Sequence, residues 1–125
     1  MSQLEDLIQK FEEFQQACKS VLPEVARRLI EDLILHQQEN PGLEYIYKIE
    51  IFTRKEANVN KFKQVILEKT GMIPEVYDSG THYIVNYKLS LETLKELSQC
   101  DPNILEIGGE YIGNIGLKEF EHRYE

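Results

Sequence analysis

The sequence predicts an α+β protein, and three observations carry that prediction. Between Glu44 and Ile112, strand-like and helix-like patterning alternates in the order strand, helix, strand, strand, helix, strand. Two amphipathic stretches of helical period come before it and end at Asn40-Pro41-Gly42. No low-complexity run or linker interrupts the 125 residues, a length near the commonest size of one domain. The order of the second region is that of a split βαβ, or ferredoxin-like, sandwich with an antiparallel sheet. We therefore expect a single unit, residues 1–125. It comprises an N-terminal helical hairpin (1–41), a ferredoxin-like sandwich (43–112) and a tail (113–125).

The first helix is expected over residues 3–19. Leu4, Leu7, Phe11, Phe14 and Cys18 recur at steps of three and four, with Ile8 widening the stripe. Glu5, Glu12, Glu13, Gln15 and Gln16 solvate the opposite face. Two heptads do not sustain an isolated helix, so the stripe must dock on the rest of the chain or on a second subunit. Pro23 suits the first turn of a second helix, where its missing N–H costs nothing. That helix is expected to reach about Gln38, with Val25, Ala26, Leu29, Ile30, Leu33 and Ile34 as its apolar face.

Strand one is Glu44 to Thr53, with Tyr45, Tyr47, Ile49 and Ile51 on the helix-covered face. A polar connection over Arg54 to Asn60 leads into a helix that Gly71 closes, with Val59, Phe62, Val65 and Ile66 buried. Strand two, near Ile73 to Tyr77, contains Pro74, which cannot donate to a ladder and so places the strand at a sheet edge or limits its start. Asp78-Ser79-Gly80-Thr81 signals a hairpin turn into strand three, His82 to Leu89. Ser90 caps a helix bearing Leu91, Leu94 and Leu97, and Asp101-Pro102-Asn103 ends it. Strand four begins at Ile104 and runs to Ile112; Gly108-Gly109 inside it suggests a bulge or turn, or a close backbone approach. The tail adds an edge strand or a short helix.

Charge restricts the partners. Asp and Glu number 22 against 14 Lys and Arg, a net charge of −8. Phosphate backbones and anionic membranes attract clustered cations, so neither nucleic acid nor a membrane is the expected partner. No apolar run exceeds three residues and the N-terminus lacks a signal-peptide pattern. Cys18 and Cys100 fit no CxxC or zinc spacing and read as reduced packing thiols of a cytoplasmic protein. His36, His82 and His122 show no paired ligand spacing, so no metal and no cofactor is expected.

The sheet face without helices of its own is the expected interaction surface. It would present Ile46, Lys48, Glu50 and Phe52 beside His82, Ile84, Asn86 and Lys88, joined by Glu106. Such a mixed surface is covered either by the N-terminal helices or by another subunit. The leading expectation is therefore a non-enzymatic interaction or regulatory protein, a homodimer that uses this face or the stripe of Leu4, Leu7, Phe11 and Phe14. Glu50 and His82 are the candidate acid–base pair should the protein be an enzyme.

Two family resemblances bear on this face and its surroundings. Thr81-His82-Tyr83-Ile84-Val85-Asn86-Tyr87 resembles the strand-three motif of RNA-recognition domains at its apolar-Val-x-aromatic end. Gly80, Thr81, His82 and Tyr83 stand where that motif opens with a basic residue and glycines. The architecture is also similar to small-ligand sensor domains of the ACT type. That resemblance implies a small-molecule cleft near Arg54, Lys55 and Gly108, beside the first strand–helix loop Thr53 to Val59, which here lacks the favoured glycine.

Overall fold

A computed structural model of the chain describes residues 2–115. Its elements are α1 (Gln3–Val21), α2 (Arg27–Glu39), β1 (Glu44–Thr53), α3 (Val59–Thr70), β2 (Glu75–Tyr77), β3 (His82–Lys88), α4 (Leu91–Gln99) and β4 (Ile104–Ile115). The four strands form one antiparallel sheet in the order β2-β3-β1-β4, so the described residues make an α+β fold. Among the described residues, no helix is long and apolar enough to cross a membrane.

Local chemistry explains three of the four helix starts and the end of α3. Ser2, Asn58 and Ser90 accept hydrogen bonds from the backbone N–H groups of Glu5, Lys61 and Thr93, satisfying donors that the first turns of α1, α3 and α4 leave unpaired. Gly71 ends α3 at φ +75°, a left-handed conformation that an L side chain resists.

Alternation along β1 divides the sheet into two faces. Tyr45, Tyr47, Ile49 and Ile51 are buried, whereas Ile46, Lys48, Glu50 and Phe52 are half-buried. On the buried face these residues, with Tyr83, Val85, Ile104 and Ile107, meet Leu29, Ile30 and Leu33 of α2, Phe62 and Ile66 of α3, and Leu94 and Leu97 of α4. Each such side chain contributes roughly 1.5–3 kcal/mol by leaving water. The helices thus stack on one side only. α2 joins α3 and α4 there instead of crossing to the other face, so the N-terminal helices do not cover the open surface.

Three expectations need correction. Pro23 lies in a turn and α2 starts only at Arg27, because the chain over 24–26 is drawn onto the outer edge of β4. There Ala26 N–H donates to the Ile107 carbonyl at 2.8 Å and Ile107 N–H donates to the Glu24 carbonyl at 2.8 Å. Strand four does not stop at Ile112 but continues to Ile115, which pairs with Glu44. The tail's first residues are therefore sheet, and the expectation for residues 116–125 lies outside the described residues.

Finally, Gly108-Gly109 is neither bulge nor turn. The register runs through Glu50↔Gly108 and Ile49↔Gly109 without a break. A Cβ on Gly109 would lie 2.6 Å from the Lys48 carbonyl oxygen, so close backbone approach explains that glycine. The irregularities fall instead between Ile46 and Tyr47 and between Phe52 and Thr53. Strand two starts at Glu75 and not at Ile73, since Pro74 cannot join the ladder and limits its start, and β2 lies at a sheet edge.

Candidate functional site

Register places the expected surface residues on one face. Phe52 lies across from His82 on β3 and from Glu106 on β4; Glu50 pairs with Ile84, Lys48 with Asn86 and Ile46 with Lys88. Glu110 joins them opposite Lys48, and on β2 Tyr77 and Glu75 pair with His82 and Ile84. His82 is the centre of this arrangement. Its ring stacks on Phe52 with centroids 4.4 Å apart, and Tyr77 lies 5.8 Å away on another side. Nε2 is 3.2 Å from Glu50 Oε1, and Nδ1 is 3.6 Å from Asp78 Oδ2. Tyr77 donates its hydroxyl to Glu75, and Lys88 Nζ pairs with Glu44 at 3.2 Å.

The geometry brings Glu50 and His82 together as the candidate pair. Both ring nitrogens face carboxylates, Phe52 covers the ring, and only 17% of the side chain is exposed. The stack on Phe52 and the Glu50 contact fix the orientation of the ring on this face.

The docking-helix residues lie elsewhere. Leu4, Leu7 and Phe11 are 73%, 65% and 47% exposed, Phe14 is half-buried and Cys18 is buried. The N-terminal half of α1 therefore carries its apolar stripe in water. The stripe runs into an apolar groove of about 310 Å³ whose walls include Phe14, Val21, Ile34 and Leu91. Arg27 lays its guanidinium over the Phe11 ring at 5.3 Å and pairs with Glu31 at 3.3 Å. A separate cleft of about 440 Å³ opens at the end of the sheet, between Pro41, Leu43, Tyr87, Lys88, Ser90 and Thr93. It is not the Arg54–Lys55–Gly108 region that the sensor resemblance implied.

No family model, curated protein or solved structure matches this chain. Its function must be argued from these surfaces.

One cluster has no counterpart in the sequence reading. Tyr47, fully buried, donates its hydroxyl to Asp32 Oδ2 at 2.7 Å, and His36 Nδ1 lies 2.9 Å from the same hydroxyl oxygen. Tyr45 donates to the carbonyls of His36 and Asn40 at 2.6 and 2.7 Å, and Tyr111 packs 4.2 Å from the His36 ring. The signal was present as Asp32 and His36 four apart on a helix, and as tyrosines alternating on β1. Burial, then the hydrogen bond to Asp32, pushes the Tyr47 phenol well above its ordinary range. That favours a neutral hydrogen-bond donor and opposes a phenolate base.

The thiols are likewise unactivated. Burial foremost, then Glu31 near Cys18 and Asp101 near Cys100, raises both above the ordinary thiol value, which disfavours the nucleophilic thiolate. Among the described residues, no group of three or more His, Cys, Asp or Glu side chains is arranged to hold a metal ion.

Proposed function

We propose that this chain is a non-enzymatic interaction or regulatory module that works as a homodimer in the cytosol. In this reading it is a ferredoxin-like sandwich preceded by a helical hairpin. The element order and the strand order β2-β3-β1-β4 support that topology. The two free thiols fit a reducing compartment.

The observation that carries the dimer is the solvent-exposed stripe of Leu4, Leu7, Ile8 and Phe11, continuous with the groove beside Phe14 and Val21. The ridge on α1 runs into the groove that α1 forms with α2 and α4, so a two-fold axis near Phe11 sets the ridge of each copy into the groove of the other. The two α1 helices then run antiparallel, the orientation their dipoles favour. Glu5, Asp6, Glu12 and Glu13 fall outside the seam and are not driven together. A stable interface takes about 800 Å² from each partner. A helix of 19 residues is about 28 Å long, so α1 needs the neighbouring Ile34, Leu35 and Leu91 to reach that area.

Light scattering on the wild type and on Leu7→Glu and Phe11→Asp variants tests this reading. It expects a dimer that both variants turn into a folded monomer, with circular dichroism confirming the fold. A dimer unaffected by both substitutions would place the interface elsewhere.

A small-ligand sensor is the second reading, favoured by the 440 Å³ cleft beside Lys88 and Ser90. A thermal-shift screen with amino acids and nucleotides separates it from the first: stabilisation that Thr93→Phe abolishes would support a ligand there.

A further inference from the structure

The open sheet face is amphipathic and acidic, and the α1 dimer leaves it uncovered. Phe52, Ile84 and Ile46 form its apolar centre, with Tyr77 at the β2 edge. Five carboxylates, those of Glu44, Glu50, Glu75, Glu106 and Glu110, share it with two ammonium groups, those of Lys48 and Lys88. Lys88 is already paired with Glu44 at 3.2 Å, and Glu50 with His82 at 3.2 Å. Exposed Glu106 and Glu110 line the β4 side and show no side-chain hydrogen bond or ion pair among the described residues.

We propose that this face docks a basic amphipathic helix of another protein, one that sets an apolar stripe on Phe52 and Ile84 and Lys or Arg side chains against Glu106, Glu110 and Glu75. Charge complementarity selects the occupant. A second copy of this chain would set a face with five carboxylates and two ammonium groups against an identical one, with Glu75, Glu106 and Glu110 gaining no surplus of cations to meet, and like charges across an interface cost several kcal/mol. A nucleic acid is repelled for the same reason. A cationic partner is attracted, and an arginine near Tyr77 or Phe52 gains a cation–π contact as well. The shape fits a helix. Four strands about 4.8 Å apart give a face roughly 15–20 Å wide, enough for one helix about 10 Å across lying on the sheet. Helices are also what cover the other face of this same sheet.

The test is an NMR titration of the full chain with two synthetic amphipathic helical peptides, one of leucine and lysine and the other of leucine and glutamate. The lysine peptide is expected to bind, with shifts centred on the amides of Phe52, His82, Ile84 and Glu106, and to weaken as salt rises. Reversing Glu106 and Glu110 to lysine, at exposed positions that leave the core untouched, should weaken binding roughly tenfold. Leu7→Glu with Phe11→Asp should leave it unchanged, which separates this face from the α1 surface. Equal binding of the glutamate peptide, shifts centred on α1, or shifts of the face amides with protein concentration alone would each overturn the proposal. The last outcome would assign the face to self-association.

Discussion

The Tyr47 hydroxyl lies between Asp32 Oδ2 at 2.7 Å and His36 Nδ1 at 2.9 Å, at a position with 0% exposure. With the phenol donating to Asp32, the His36 ring must carry its hydrogen on Nδ1 to donate to the phenol oxygen. This ties β1 to α2 by a chain of polar contacts at the partly exposed edge of the helix–sheet layer. Such a bond contributes about 0.5–1.5 kcal/mol net. Tyr47→Phe should therefore lower the unfolding free energy by about 1 kcal/mol at neutral pH, read by urea denaturation.

The same residue sets a pH dependence. Its folded pKa is raised by burial and by Asp32 above the unfolded value of about 10. Stability from that shift is fully present below about pH 10 and is lost as the pH rises further, because the unfolded chain ionises first. Urea midpoints between pH 9 and pH 11 should fall more steeply in the wild type than in Tyr47→Phe. Burial also raises Tyr45 and Tyr83, so the variant keeps part of the slope.

Gly109 and Gly108 are adjacent and should respond differently. A Cβ at Gly109 meets the Lys48 carbonyl at 2.6 Å, whereas one at Gly108 meets nothing within 4 Å. Gly109→Ala should cost about 1–3 kcal/mol, as a forced contact in a packed region does. Gly108→Ala should change stability by less than about 1 kcal/mol. Chemical denaturation of both variants decides the comparison.

Ala26 offers a substitution in each direction. It caps α2 without a side-chain hydrogen bond, at φ −60° and ψ 128°. Ala26→Ser supplies the missing acceptor for the first turn and should stabilise by about 1 kcal/mol. Ala26→Pro keeps the φ angle but removes the N–H that holds Ile107, so it should destabilise by about 1–3 kcal/mol. Thermal melts that moved both variants the same way would contradict this account of the α2 start.

Much of the fold was legible because its signals are local. Alternation of Tyr45, Tyr47, Ile49 and Ile51 against Ile46, Lys48, Glu50 and Phe52 identifies the two faces of β1 before any partner strand is known. Ser90, Gly71 and Pro74 act through their own backbone chemistry, and each marks an element end or an edge in place. Val25 and Ala26 misled because their spacing continues the apolar face of α2, while the force holding them comes from Ile107, 82 residues along from Val25. Period alone cannot register a partner so distant in sequence. The juxtaposition of His82 and Glu50 followed from strand order and register. The Asp32–Tyr47–His36 cluster did not, since it depends on which sheet face α2 chooses.

The central claim is that α1 is an interface helix, and native mass spectrometry of the freshly purified full chain tests it most directly. The account predicts a species of twice the chain mass, lost on Leu7→Glu, while the variant keeps its helical circular dichroism. A wild-type monomer at tens of micromolar, with Leu4, Leu7 and Phe11 still in water, would contradict it.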